Sequence, residues 1–124
     1  MDWQTYVDGN LIAGHCSAGL ILDLDGTVLA ASPGFALKPG EAQAIVALFK
    51  APSSPPPRIL IAGAKYFISS AAASTVTATQ NAGGVMLVKS RPAIIVGTCT
   101  APATVNDIAP ALLGLANYLN TEAP

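Results

Sequence analysis

The sequence predicts an α+β fold in which one antiparallel sheet of about six or seven strands carries helices on its faces. Three observations predict it: an apolar helical stripe near each terminus, an aspartate-glycine hairpin signal close to the start, and a series of short β-branched runs between them. With 124 residues, 52% of them hydrophobic, the chain has apolar material for one domain over residues 1–124 and too little for two.

Asp2 is placed to cap a first helix, on which Trp3, Val7 and Leu11 share a face at i, i+4, i+8 spacing, and the helix should end before Gly14. Leu20 to Leu24 and Thr27 to Ala31 then read as two strands joined at Asp25-Gly26, a type I′ hairpin signal. Lys38-Pro39-Gly40-Glu41 opens a second helix, given an apolar face by Ile45, Leu48 and Phe49 and stopped at Ala51-Pro52. Pro52 to Pro57 is proline- and serine-rich and reads as an exposed loop of polyproline II character.

Five further strands are expected, at Arg58 to Ala62, Lys65 to Ser69, Thr75 to Thr79, Gly84 to Val88 and Ala93 to Thr98. Turns should fall at Gly63-Ala64, Ala71 to Ser74, Asn81 to Gly83 and Lys89 to Pro92. Thr104 followed by Asp107 resembles a capping box and introduces a last helix running to about Asn120. Its core stripe is Ile108, Leu112, Leu115 and Leu119, and at about 100° per residue Tyr118 points roughly a quarter turn away from that stripe.

Composition narrows the function. Only 10% of residues are charged and the net charge is -1, so bulk electrostatics draws the molecule neither to nucleic acid nor to an acidic membrane. Met1 to Leu11 has no basic leader, and the longest apolar runs are too short to cross a bilayer, which disfavours secretion and membrane insertion. Cys16 and Cys99 lack metal-ligand spacing, and His15 lacks the further ligands that zinc needs, so both cysteines are expected to be free, partly buried thiols and no cofactor is expected.

Trp3-Gln4-Thr5-Tyr6-Val7-Asp8, Leu22-Asp23-Leu24-Asp25-Gly26 and Leu115-Ala116-Asn117-Tyr118-Leu119 together resemble the profilin family. The resemblance extends through Ile61-Ala62-Gly63-Ala64-Lys65-Tyr66 and Gly83-Gly84-Val85-Met86-Leu87-Val88-Lys89, and so over nearly the whole chain. It implies that the first and last helices lie side by side on one sheet face, with the shorter helix on the other, in a cytoplasmic, largely monomeric, non-enzymatic protein of the cytoskeleton. It further implies a polyproline groove built here from Trp3, Tyr6, Leu29, Tyr118 and Leu119. Aromatic rails suit such a ligand, because a polyproline II segment is already extended and offers flat rings with outward carbonyls to indole and phenol donors. The family usually has a tryptophan where this chain has Leu29 and often ends in an aromatic where it has Pro124. Losing one rail removes about 1–3 kcal/mol, roughly ten- to a hundredfold in affinity, so weakened binding is expected.

The resemblance also implies binding of monomeric actin through the meander and the start of the last helix, with Lys65, Lys89, Arg91 and Asn106 as site residues, and binding of phosphoinositide through the same basic set. That surface is depleted, because the turn that often carries a lysine pair reads Ala78-Thr79-Gln80-Asn81 and a usual proline-glycine step reads Val105-Asn106.

Other readings have less support. Ile21-Leu22-Asp23-Leu24-Asp25-Gly26-Thr27-Val28 is similar to the first motif of haloacid-dehalogenase phosphatases, but the only acids after Glu41 are Asp107 and Glu122, and the motif joins antiparallel strands rather than following a parallel one. Cys16 beside His15 is not a dyad by adjacency alone. A roadblock- or longin-like scaffold shares the order of elements and acts by pairing with other chains, but nothing in it requires Trp3 and Tyr6 at their spacing. Pro55-Pro56-Pro57 is itself ligand-like and reads as a loop feature that a second copy's groove would bind weakly.

Overall fold

The structure, a computed structural model, describes residues 3–12, 16–32, 35, 37–50, 58–71, 75–80, 83–90, 93–100 and 105–122, with the backbone alone at 10, 12, 50, 121 and 122. The expected caps at Asp2 and Thr104, the proline loop Pro52 to Pro57 and the chain end at Pro124 lie outside the described residues.

Seven strands form one sheet, β1 (Ala18–Asp23), β2 (Val28–Ala31), β3 (Arg58–Ile61), β4 (Ala64–Ala71), β5 (Thr75–Gln80), β6 (Gly83–Lys89) and β7 (Ala93–Thr100). Their order is β2-β1-β7-β6-β5-β4-β3, every neighbour antiparallel. The helices are α1 (Trp3–Tyr6), α2 (Glu41–Lys50) and α3 (Val105–Glu122).

Strand alternation sends alternate side chains to two cores. Ile21, Met86, Val88 and Ile95 meet Val7, Leu11, Ile108, Leu112, Leu115 and Leu119, so the first and last helices share one face. Leu20, Leu22, Val85, Leu87, Ile94 and Val96 meet Ile45, Val46, Leu48 and Phe49 of α2 on the other. The stripe expected for α3 is wholly buried, each member contributing about 1.5–3 kcal/mol. It seats closely because Gly97 has no side chain: a Cβ there would come within 2.8 Å of Leu112 Cδ1 and 3.0 Å of Cys16 Sγ.

Three local expectations need correction. The first helix is not α-helical throughout: after Tyr6 it continues as a π-helical segment, Val7–Ile12, whose wider turn still buries Val7 and Leu11. The Cys16 N–H donates to the Leu11 carbonyl at 3.0 Å, a further five-residue closure.

The first hairpin is not a two-residue type I′ turn. Of its loop residues only Gly26 has positive φ, at 98°, Gly26 N–H donates to Asp23 O at 3.0 Å, and Asp23 N–H to Thr27 O at 2.7 Å. This is a type I turn closed by a left-handed glycine. Two carboxylates hold it, Asp23 accepting from Leu24 N–H and Asp25 from Thr27 N–H.

The β3–β4 turn is centred on Ala62-Gly63 rather than Gly63-Ala64, with φ of 53° and 83°. Its cause lies in α2. Glu41, only 6% exposed, accepts at one carboxylate oxygen from Lys38 N–H (2.8 Å) and Ala62 N–H (2.6 Å), and at the other from Gly63 N–H (2.9 Å). One carboxylate therefore caps its own helix and fastens the neighbouring hairpin.

Candidate functional site: an aromatic corner and an open sheet face

Three aromatics meet where α1 crosses α3. Trp3 and Tyr6 sit edge to face, with ring centroids 5.8 Å apart at 63°. Tyr6 and Tyr118 are 6.0 Å apart at 59°. Desolvation, and then a hydrogen bond to Tyr118, hold the Tyr6 phenol above its ordinary pKa, so this hydroxyl stays protonated at neutral pH. Trp3, Tyr6 and Leu29 are half-buried against the helix-pair core, while Tyr118 remains 43% exposed. Gln4 Nε2 donates to the Ala31 carbonyl at 2.9 Å and ties α1 to the edge strand β2. The result is a corner with flat apolar faces and hydroxyls at its rim.

A second surface lies at the far end of the same sheet face. The start of α3 stands over β6, where a Cβ on Gly84 would come within 2.8 Å of Val105 Cγ2. From Gly84 the paired row runs outward through Thr79 and Phe67 to Arg58. No described helix covers this part of the face. Ile59, Ile61, Tyr66, Val76 and Ala78 are spent on the α2 side, so alternation turns Leu60, Lys65, Phe67, Thr77 and Thr79 outward. Phe67 is 55% and Leu60 47% exposed.

This pairing of helices on an antiparallel sheet has known counterparts. The family model described as Profilin matches residues 1–123. Profilin-3 of Dictyostelium discoideum is 35% identical over 124 residues, covering 98% of both chains. The chain belongs to the profilin family. Among solved structures, profilin IA of Acanthamoeba castellanii superposes with a TM-score of 0.91 at 31% identity, over 99% of this chain and all of that one. A chain of the LokiProfilin2 and rabbit actin complex shares the fold, with a TM-score of 0.79 at 17% identity over 93% of this chain and 92% of that one. Family membership displaces the roadblock- or longin-like alternative.

In this profilin the fold gathers Trp3, Tyr6 and Tyr118 at one corner, and Leu29 packs against the same helix-pair core. Leu119 does not join them at the surface. At 2% exposure it belongs to the buried stripe of α3, where it supports the corner from below and offers a ligand almost no area. The basic set is divided: Lys65 leaves β4 on the open face, whereas Lys89 shares its strand parity with Val85 and Leu87, which face α2. Lys65 and Lys89 therefore make no common cationic patch, and Arg91 lies outside the described residues. Asn106 is exposed at the start of α3, beside the open face, and Pro110 leaves its carbonyl without the usual helical donor.

Phe67 and Leu60 were missed by sequence reasoning. The signal lay in Ile59-Leu60-Ile61 and Tyr66-Phe67-Ile68, which are apolar at both strand parities, although among the described residues a helix covers only one side of that end of the sheet. Cys16 and Cys99 are free and buried. Burial first, then the neighbouring Cys99, push the Cys16 thiol up to about 12, which makes it a packing group rather than a nucleophile. His15 lies outside the described residues.

Proposed function

We propose that this profilin is a non-catalytic cytoplasmic protein that joins proline-rich peptides to monomeric actin and so regulates the actin cytoskeleton. The observation that carries the peptide half is the Trp3–Tyr6–Tyr118 cluster, which spans the first and last helices with centroid spacings of 5.8 and 6.0 Å. A polyproline II segment matches such a corner, since its rings stack on the aromatic faces and its carbonyls meet the phenol hydroxyls. Leu29 supplies area there but no indole donor, which sets the expected affinity below that of a corner with a further tryptophan.

The actin half is proposed for the open face around Phe67, Leu60 and Lys65, together with Asn106 at the start of α3. An exposed apolar cluster beside polar hydroxyls is the composition expected of a protein-binding surface. The LokiProfilin2 complex provides a precedent for actin binding on this fold. No described helix is long and apolar enough to cross a membrane, and Lys65 and Lys89 offer no shared site for a phosphoinositide headgroup.

The deciding experiment titrates poly-L-proline against the protein and follows the fluorescence of Trp3, the only tryptophan. A saturable change that is lost in Tyr6→Ala and Tyr118→Ala supports the reading. No change up to millimolar proline overturns it.

A further inference from the structure

The charges are segregated along the sheet. Residues 1–37 and 92–124 contain Asp2, Asp8, Asp23, Asp25, Asp107 and Glu122 and not one lysine or arginine. Residues 38–91 contain all six basic residues and a single acid, Glu41, whose carboxylate is committed to Lys38, Ala62 and Gly63 N–H groups. In side-chain charge the first set amounts to -6 and the second to +5, together the net -1.

The fold keeps the two sets apart. α1, β1, β2, β7 and α3 belong to the first, and α2 with β3 to β6 to the second. Because the sheet order is β2-β1-β7-β6-β5-β4-β3, the boundary falls once, between β7 and β6. A nearly neutral protein therefore has an acidic half and a basic half, and the aromatic corner lies wholly in the acidic half.

We propose that this corner selects proline-rich segments flanked by lysine or arginine over segments flanked by acids. The inference rests on the polyproline reading above and adds the ligand's charge to it. The acids flank the rails along the chain: Asp2 adjoins Trp3, Asp8 is exposed on the π-helical segment two residues after Tyr6, and Glu122 follows Tyr118 by four positions. A polyproline ligand advances about 3.1 Å per residue. A flank two or three residues beyond its docked prolines thus stays within the screening length of about 8–10 Å of one end of the corner. That half has no lysine or arginine to attract an acidic flank instead.

The test uses three peptides with the same decaproline core, flanked by Lys-Lys, Gly-Gly or Glu-Glu, each titrated against the full chain by Trp3 fluorescence. At about 20 mM salt the lysine-flanked peptide should bind about three- to tenfold tighter than the glutamate-flanked one, and the ratio should fall toward one at about 500 mM. In the double variant Asp8→Asn, Glu122→Gln the low-salt ratio should narrow. Equal affinities, a preference for the acidic peptide, or a preference untouched by both salt and the double variant would overturn the inference while leaving the groove intact. If none of the three peptides perturbs Trp3, the polyproline reading itself falls.

Discussion

At one end of the sheet α1 and α3 lie across β2, β1, β7 and β6 and leave the rims of three aromatics in view; at the other, no described helix covers this face of β3, β4 and β5, and Phe67 and Leu60 stand half in solvent. Both ends expose apolar surface, but by different means. The corner is an edge product of helix packing: Trp3, Tyr6 and Tyr118 are held by their neighbours and by each other. The open face is what strand alternation leaves behind when a helix covers one side only. Recognition at the corner should therefore depend on ring geometry, and at the open face on area.

Four substitutions and one titration probe that contrast. The largest effect is expected at the clamp that holds the open end in register. Glu41→Ala leaves the Ala62 and Gly63 N–H groups without their charged acceptor and should cost about 3 kcal/mol in urea unfolding. A loss below about 1 kcal/mol would mean water replaces the carboxylate freely. Next, Tyr6→Ala should weaken polyproline binding by about ten- to a hundredfold and leave actin affinity within a factor of about two. If both affinities fell together, the two ends would not be independent sites.

Phe67→Ala should produce the converse, an actin affinity about tenfold weaker in a sedimentation or polymerisation assay with polyproline titrations unchanged. Its exposure means little stability should be lost, so a destabilised variant would speak against a surface role. Leu29→Trp should restore a rail and tighten polyproline several-fold, to about 1 kcal/mol. No gain would place position 29 outside the ligand's path.

The smallest effect is a pH response. The folded thiol of Cys16 lies near 12 against an ordinary value of 9.0. The stabilisation it reflects is therefore complete below about pH 9 and is lost as pH rises toward 12. Cys99 and Tyr66, also raised chiefly by burial, act in the same direction. The urea midpoint should fall between pH 8 and pH 10.5, and by less in Cys16→Ala.

The same contrast explains what could be read before the structure. The corner was legible because helical periodicity is local: Ile108, Leu112, Leu115 and Leu119 determine where Tyr118 points whatever else the chain does. The open face was not, because whether Phe67 is core or surface depends on which strands the distant α3 covers, and no window around residue 67 contains that information. Lys65 and Lys89 looked alike as turn-edge charges, yet an odd or even place in two different strands sends them to opposite sides. The Ala62-Gly63 turn was displaced by one residue because Glu41, in α2 and far back in sequence, binds its amides. Leu119 was misjudged by adjacency to Tyr118, although a single helical step separates rim from core.

The π-helical segment links sequence length to the aim of the rails. A π turn accommodates one more residue than an α turn, so Val7–Ile12 acts as a built-in insertion between the anchored Leu11 and the aromatic pair that precedes it. Deleting Gly9, where even an added Cβ would meet no neighbouring element within 4 Å, should let the segment relax to a regular helix. With Leu11 still seated, everything upstream would then turn by about 100° and shift by about 1.5 Å. Trp3 and Tyr6 would keep their chemistry and lose their bearing on Tyr118, so the spacing of the chain, as much as its choice of aromatics, specifies where a ligand can dock.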